Sequence, residues 1–143
     1  LPQLKKKYID TGKVQLEFID YPLDRLAVIA AALARSIPTE DGYTEAVSIL
    51  LKKQKQWAYS KNPLNELQSI AKLFGISSKK FNDISQNIPL MQEIVTKMEK
   101  ESKDFDINST PTFIVNDKYK ISGALSFKDF EKELLKSINA KKS

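Results

Sequence analysis

Apolar residues recur at helical spacing along most of this chain, and in two short stretches the period changes to two. Leu1, Leu4 and Tyr8 share a helical interval, and Thr11-Gly12 stops the run. Pro2 suits either a first turn or a kink in a longer helix. Val14-Gln15-Leu16-Glu17-Phe18-Ile19-Asp20 alternates apolar and polar positions and predicts a half-buried strand over Val14–Ile19 that ends at Tyr21-Pro22. Leu26, Ile29, Ala30 and Leu33 return to helical spacing behind Asp24, an N-cap candidate, and Ile37-Pro38 closes that helix.

The central region is a succession of helices. Pro38–Gly42 reads as a polar turn, and Tyr43, Ala46, Val47, Leu50 and Trp57 mark one face of a single amphipathic helix. Asn62-Pro63 is a cap followed by proline at the first helical position. Leu67, Ile70, Ala71 and Phe74 form the next stripe, with Gly75 as the terminating residue. Ser77 caps a short helix bearing Phe81 and Ile84. Pro89 opens another, with Met91, Ile94, Val95 and Met98 facing inward.

Beyond Ser109 the pattern changes again. Thr112–Val115 is a short β-forming run, Asn116-Asp117 a turn pair, and Lys118–Ile121 the return strand, followed by Gly123. Ser126, with Asp129 three residues on, opens a last helix whose buried stripe is Phe127, Phe130, Leu134 and Ile138. Ala140–Ser143 is a polar tail. The predicted order is helix, strand, about five helices, hairpin, helix. It describes an α/β fold with a helical subdomain inserted between strand and hairpin.

The length of 143 residues fits one domain. The chain contains no Cys and no His, which excludes thiol chemistry, disulfides, zinc held by thiolate or imidazole, and histidine acid–base catalysis by these residues alone. Neither a metal nor a cofactor is expected. The net charge of +5 is carried almost entirely by lysines interspersed with Asp and Glu, and Arg occurs only at Arg25 and Arg35. That is a solvated surface rather than a nucleic-acid face, which would cluster arginine with exposed aromatics. No apolar run approaches the roughly 20 residues of a membrane span, so an integral membrane protein is not expected. The first residue is Leu rather than Met, and the encoded protein is expected to begin upstream.

The most informative stretch is Asn108-Ser109-Thr110-Pro111-Thr112-Phe113-Ile114-Val115-Asn116. Proline lacks an N–H and belongs at the first position of a strand. The Thr-Pro-Thr-Phe run, the hairpin behind it, Gly123 and the final amphipathic helix together resemble the C-terminal half of the thioredoxin superfamily, and within it the DsbA-like branch. Ser109 stands where that branch usually has Gly, and Asp117 where the turn glycine is usual. The exit Asp20-Tyr21-Pro22-Leu23 is similar to the branch's Asp-Phe-Pro-Leu, and the helical insertion with Trp57 and Gly75 falls where its members carry theirs.

The resemblance implies a thioredoxin-like core of residues 1–22 and 108–139 with a mostly helical insertion over 24–105, all one domain. It also implies that the family's first strand, the start of its first helix and its Cys-x-x-Cys pair would lie upstream of Leu1. The missing strand would sit between Val14–Ile19 and Thr112–Val115. By the same resemblance the site residues are Thr110 and Pro111, a cis-proline loop that offers Thr110's main chain to an extended substrate. Glu17 is a weaker candidate for an acid assisting proton transfer. The implied function is a thiol–disulfide oxidoreductase acting on reduced or unfolded secreted polypeptides in the periplasm or another extracytoplasmic compartment, coupled to a membrane redox partner. The chain by itself is expected to be inactive. The alternatives are a non-redox, peptide-binding or chaperone-like domain, and a glutathione-using isomerase of the same branch.

Overall fold

The structure is a computed structural model that describes residues 2–142; Leu1, expected in the first helix, and Ser143, expected in the tail, lie outside the described residues. In chain order the elements are α1 (Pro2–Leu4), a π-helical turn (Lys5–Ile9), α2 (Arg25–Arg35), α3 (Glu40–Lys52), α4 (Gln54–Ala58), α5 (Pro63–Leu73), α6 (Ser78–Ser85), α7 (Ile88–Phe105), β1 (Thr112–Val115), β2 (Tyr119–Ser122) and α8 (Phe127–Lys142). Contacts divide the chain into two units, residues 20–98 and residues 1–19 with 99–143.

In the 20–98 unit, short polar side chains start the helices. Asp24 Oδ1 accepts from the Ala27 N–H at 2.8 Å and caps α2; Ser77 and Asn87 do the same for α6 and α7. Such a bond satisfies one of the N–H groups that a helix start leaves unpaired and is worth about 1 kcal/mol. α2 packs against α3, α5 and α6. Its alternating small and large side chains, Ala30, Ala32, Leu33 and Ala34, are all buried, which lets neighbouring helices approach closely. Asp20 ties the entry of this unit to two helices: Arg35 Nε donates to Asp20 Oδ2 at 2.8 Å, and the Tyr43 hydroxyl to Oδ1 at 3.1 Å. The Arg35 guanidinium lies 4.3 Å from the Tyr43 ring centroid. Burial, reinforced by the Asp20 charge, raises the Tyr43 phenol far above its ordinary range, so it serves purely as a donor.

Two expectations for this unit are corrected. Pro38–Gly42 is not all turn: Thr39 Oγ1 accepts from the Gly42 N–H at 3.0 Å and starts α3 at Glu40. Nor is the run to Trp57 one helix. It breaks at Lys53 into α3 and α4, and the buried Trp57 indole N–H donates to the Leu50 carbonyl at 2.9 Å. That carbonyl lies in the last turn of α3, where no helical partner remains, so the indole satisfies it and fixes the bend.

α5 has Pro63 at its first position, as expected, although Asn62 makes no side-chain capping bond. At its other end Gly75 N–H donates to Lys72 O and Ile76 N–H to Ala71 O, a Schellman closure with Ile76 buried behind it.

The second unit is built on one core: Leu4, Tyr8, Ile121, Phe130 and Leu134, with Val14, Leu16, Phe113, Val115, Phe127 and Ile138 partly buried against it. β1 and β2 pair antiparallel, Thr112 opposite Ser122 and Val115 opposite Tyr119. Asn116 and Asp117 turn the chain with φ of 55° and 56°, and Lys118 belongs to the turn rather than to the return strand. The Val115 carbonyl accepts from the Lys118 N–H at 3.1 Å. Asp and Asn tolerate this left-handed backbone better than other side chains do. α8 opens at Ser126, whose Oγ accepts from Asp129 N–H, and it runs to Lys142, through the residues expected to be a tail.

The expected strand Val14–Ile19 is not formed. Its alternation survives as burial, with Val14, Leu16 and Phe18 half-buried and Gln15, Glu17 and Ile19 exposed. Alternation sets which residues face the core, but a strand also requires a hydrogen-bonded neighbour. Among the described residues the sheet consists of β1 and β2 alone.

The π-helical turn is fastened to α8 by Glu131. Its Oε2 accepts from the Tyr8 hydroxyl at 2.7 Å and from Lys7 Nζ at 2.6 Å. The hydrogen bonds from Lys7, then from Tyr8, hold the Glu131 carboxyl below its ordinary value of 4.5. Their counterpart raises Lys7 and Tyr8.

Two outcomes follow from these contacts. Gly75 has φ +77° and no atom within 4 Å of an added Cβ, so Gly75→Ala costs only conformational energy. Its urea midpoint should fall by the equivalent of about 1 kcal/mol with an unchanged slope. A carboxyl depressed in the folded state stabilises above its unfolded value and loses that contribution as pH falls through the folded one. Acid-limb denaturation below pH 4.5 should therefore be shallower in Glu131→Gln than in the parent chain.

Candidate functional site

The end of α7 and the hairpin together place the Ser109–Thr112 loop. α7 stops where Asp106 takes φ +52° and the Ile107 N–H donates back to the Ser102 carbonyl at 3.0 Å. Lys120, on β2, reaches the same helix end: its ammonium donates to the Asp106 carbonyl at 3.0 Å and more weakly to Phe105 at 3.5 Å. A cation on the last carbonyls is favoured by both the unpaired oxygens and the helix dipole. Helical periodicity cannot reveal a cap supplied from a distant strand, so in the sequence Lys120 shows only as a strand residue.

From this anchor the chain runs through exposed Asn108, Ser109, Thr110 and Pro111 into β1. The Thr110–Pro111 peptide bond is cis. Two bonds hold the loop on either side of Thr110. The Thr112 hydroxyl donates to the Ser109 carbonyl at 2.7 Å. The Gly123 N–H, at a φ of +92° that suits glycine, donates to the Pro111 carbonyl at 2.9 Å and extends the hairpin ladder by one rung. Thr110 itself has no hydrogen-bond partner among the described residues. Thr110 is exposed, and nothing among the described residues competes for its main-chain N–H and C=O.

Beneath the loop, Phe113 lies with its ring centroid 4.6 Å from that of Phe130, the planes inclined at 58°. Such a tilted pair is worth about 0.5–1.5 kcal/mol beyond the area it buries and fixes the start of β1 on α8. Thr110 and Pro111 thus stand together on a braced turn. Glu17 is exposed on the 14–20 segment, whose inward neighbours Val14 and Leu16 share the core with Phe113 and Val115. Thr112 is the residue that sequence reasoning passed over. Its β-propensity masks a second signal, a hydroxyl three residues after Ser109 that can close the loop. Among the described residues no group of acidic, His or Cys side chains could hold a metal ion. No helix there is long and apolar enough to cross a membrane.

Comparison with known proteins agrees with the fold. A family model described as thioredoxin matches residues 1–136. A Rickettsia conorii protein named "Putative protein-disulfide oxidoreductase" is 31% identical over 115 residues, which are 80% of this chain and 42% of that protein. The "Thiol:disulfide interchange protein DsbA" of Buchnera aphidicola is 24% identical over 117 residues, 81% of this chain and 53% of the relative. The chain thus spans about half the length of such curated relatives, or less. The crystal structure of Wolbachia pipientis alpha-DsbA1 superposes with a TM-score of 0.83 at 27% identity, covering 94% of this chain and 73% of that one. The fold is thioredoxin-like with a helical insertion, and the chain belongs to the thioredoxin family, in its DsbA-like branch.

Proposed function

We propose that this chain is the polypeptide-docking part of a DsbA-type protein disulfide oxidoreductase, and that Thr110 and Pro111 form its docking loop. The observation that carries this reading is the exposed, unpartnered main chain of Thr110 at the entry to β1. An extended polypeptide can pair with such an N–H and C=O as an added strand does, with affinity coming from main-chain bonds. Pro111 follows without an N–H, so no second donor competes beside the Thr110 carbonyl. Residues 1–22 and 108–139 serve as the thioredoxin core of one domain, and residues 24–105 as its helical insertion.

The substrates in this reading are reduced or unfolded secreted polypeptides, met in the periplasm or another extracytoplasmic compartment, with a membrane redox partner restoring the oxidised state. The names of the relatives support the disulfide-exchange part of this reading. The exchange moves two electrons between thiols and a disulfide, and only a thiolate can perform it. None of the 143 residues is Cys. A longer protein containing this chain would supply the pair, and Glu17 keeps a minor role as an acid near the exchange. The Cys-free sequence also supports a second reading, in which the same loop binds peptides with no redox step.

Two measurements test the proposal. Added to the isotopically labelled chain, a reduced and alkylated unfolded polypeptide should shift the amide signals of Ser109, Thr110 and Thr112; an unmoved Thr110 signal counts against docking at this loop. The chain alone should leave insulin reduction by dithiothreitol at the buffer rate, and acceleration above it would contradict a thiol-dependent mechanism.

A further inference from the structure

We propose that Thr112 is a positioning residue for this docking: its hydroxyl fixes the peptide plane that carries the Thr110 N–H. The inference rests on the docking reading above and adds the residue that sets its geometry.

The Ser109 carbonyl and the Thr110 N–H belong to one planar peptide unit, so neither can turn without the other. That unit is trans, since the cis bond of this loop is the next one along, at Thr110–Pro111. In a trans unit the C=O and N–H point to opposite sides. A Ser109 oxygen held 2.7 Å from Thr112 Oγ1 therefore aims the Thr110 N–H away from Thr112.

The holding group is itself fixed. Thr112 is the first residue of β1, in register with Ser122, and the preceding Pro111 carbonyl is bonded to the Gly123 N–H. The hydroxyl is thus a strut from the hairpin to the loop. Without it the Ser109–Thr110 unit is exposed and can swing, carrying the docking donor with it. An incoming chain would then bear the entropy of ordering that unit, which the strut has already removed.

The test compares the full chain with Thr112→Val, which keeps the β-branched shape and removes the donor, and with Thr112→Ser, which keeps the donor. The probe is the capped peptide Ser-Val-Ser-Val-Ser, and binding is followed by the Thr110 amide signal, with thermal melting recorded in parallel. Thr112→Val should bind about five- to tenfold more weakly, the equivalent of one net hydrogen bond, at a nearly unchanged melting midpoint. Thr112→Ser should stay within about twofold of the parent.

Equal binding by the parent and Thr112→Val overturns the positioning role and leaves the docking reading standing. A parent chain whose Thr110 signal ignores the peptide overturns the docking reading and this inference with it. If Thr112→Val loses the fold while Thr112→Ser keeps it, the hydroxyl is a structural requirement and the positioning role is overturned.

Discussion

A two-stranded hairpin is marginal in water, and everything attributed to the Thr110 loop depends on the hairpin being held. What holds it is apolar burial against α8: Phe113 and Val115 from β1 and Ile121 from β2 meet Phe130 and Leu134. Ile121, Phe130 and Leu134 are each less than a tenth exposed. Fully burying a side chain of this size contributes roughly 1.5–3 kcal/mol, so a few of them outweigh what the hairpin lacks alone. The polar contacts sharpen this arrangement. Glu131 ties the π-helical turn to α8, and the Phe113–Phe130 pair sets the angle at which β1 leaves the loop.

The proposed docking at the Thr110 loop needs little side-chain chemistry. The groups proposed for recognition are main-chain atoms at one residue, and the carbonyls of the residues on either side are bonded to Thr112 and Gly123. The family assignment rests on separate ground, the match over residues 1–136 and the superposition on a DsbA structure.

Local signals in the sequence were read well where the physics is local. Asp24, Ser77 and Ser126 cap helices, and Gly75 takes the positive φ that ends α5, because each depends only on residues within one turn. Pro111 at the entry to β1 was legible as a proline at a strand's first position. Signals that depend on distant partners were not legible. The Val14–Asp20 alternation reports which side chains face the core, and it says nothing about whether a neighbouring strand completes the ladder. The break at Lys53 was hidden because α3 and α4 continue one apolar stripe, and the bend is held by a bond from the Trp57 indole back to Leu50. The Lys7–Tyr8–Glu131 cluster joins residues more than a hundred positions apart, beyond the reach of any period.

Lys120 gives the region a cooperative character. By closing the end of α7 with an ammonium group borne on β2, the fold makes the helix terminus and the hairpin share a stabilising bond. Fraying of one therefore withdraws support from the other. The last turn of the helix and the strand pair should open as a unit in amide exchange, so the segment between them, residues 107–111, has both of its ends tethered to the same cooperative block.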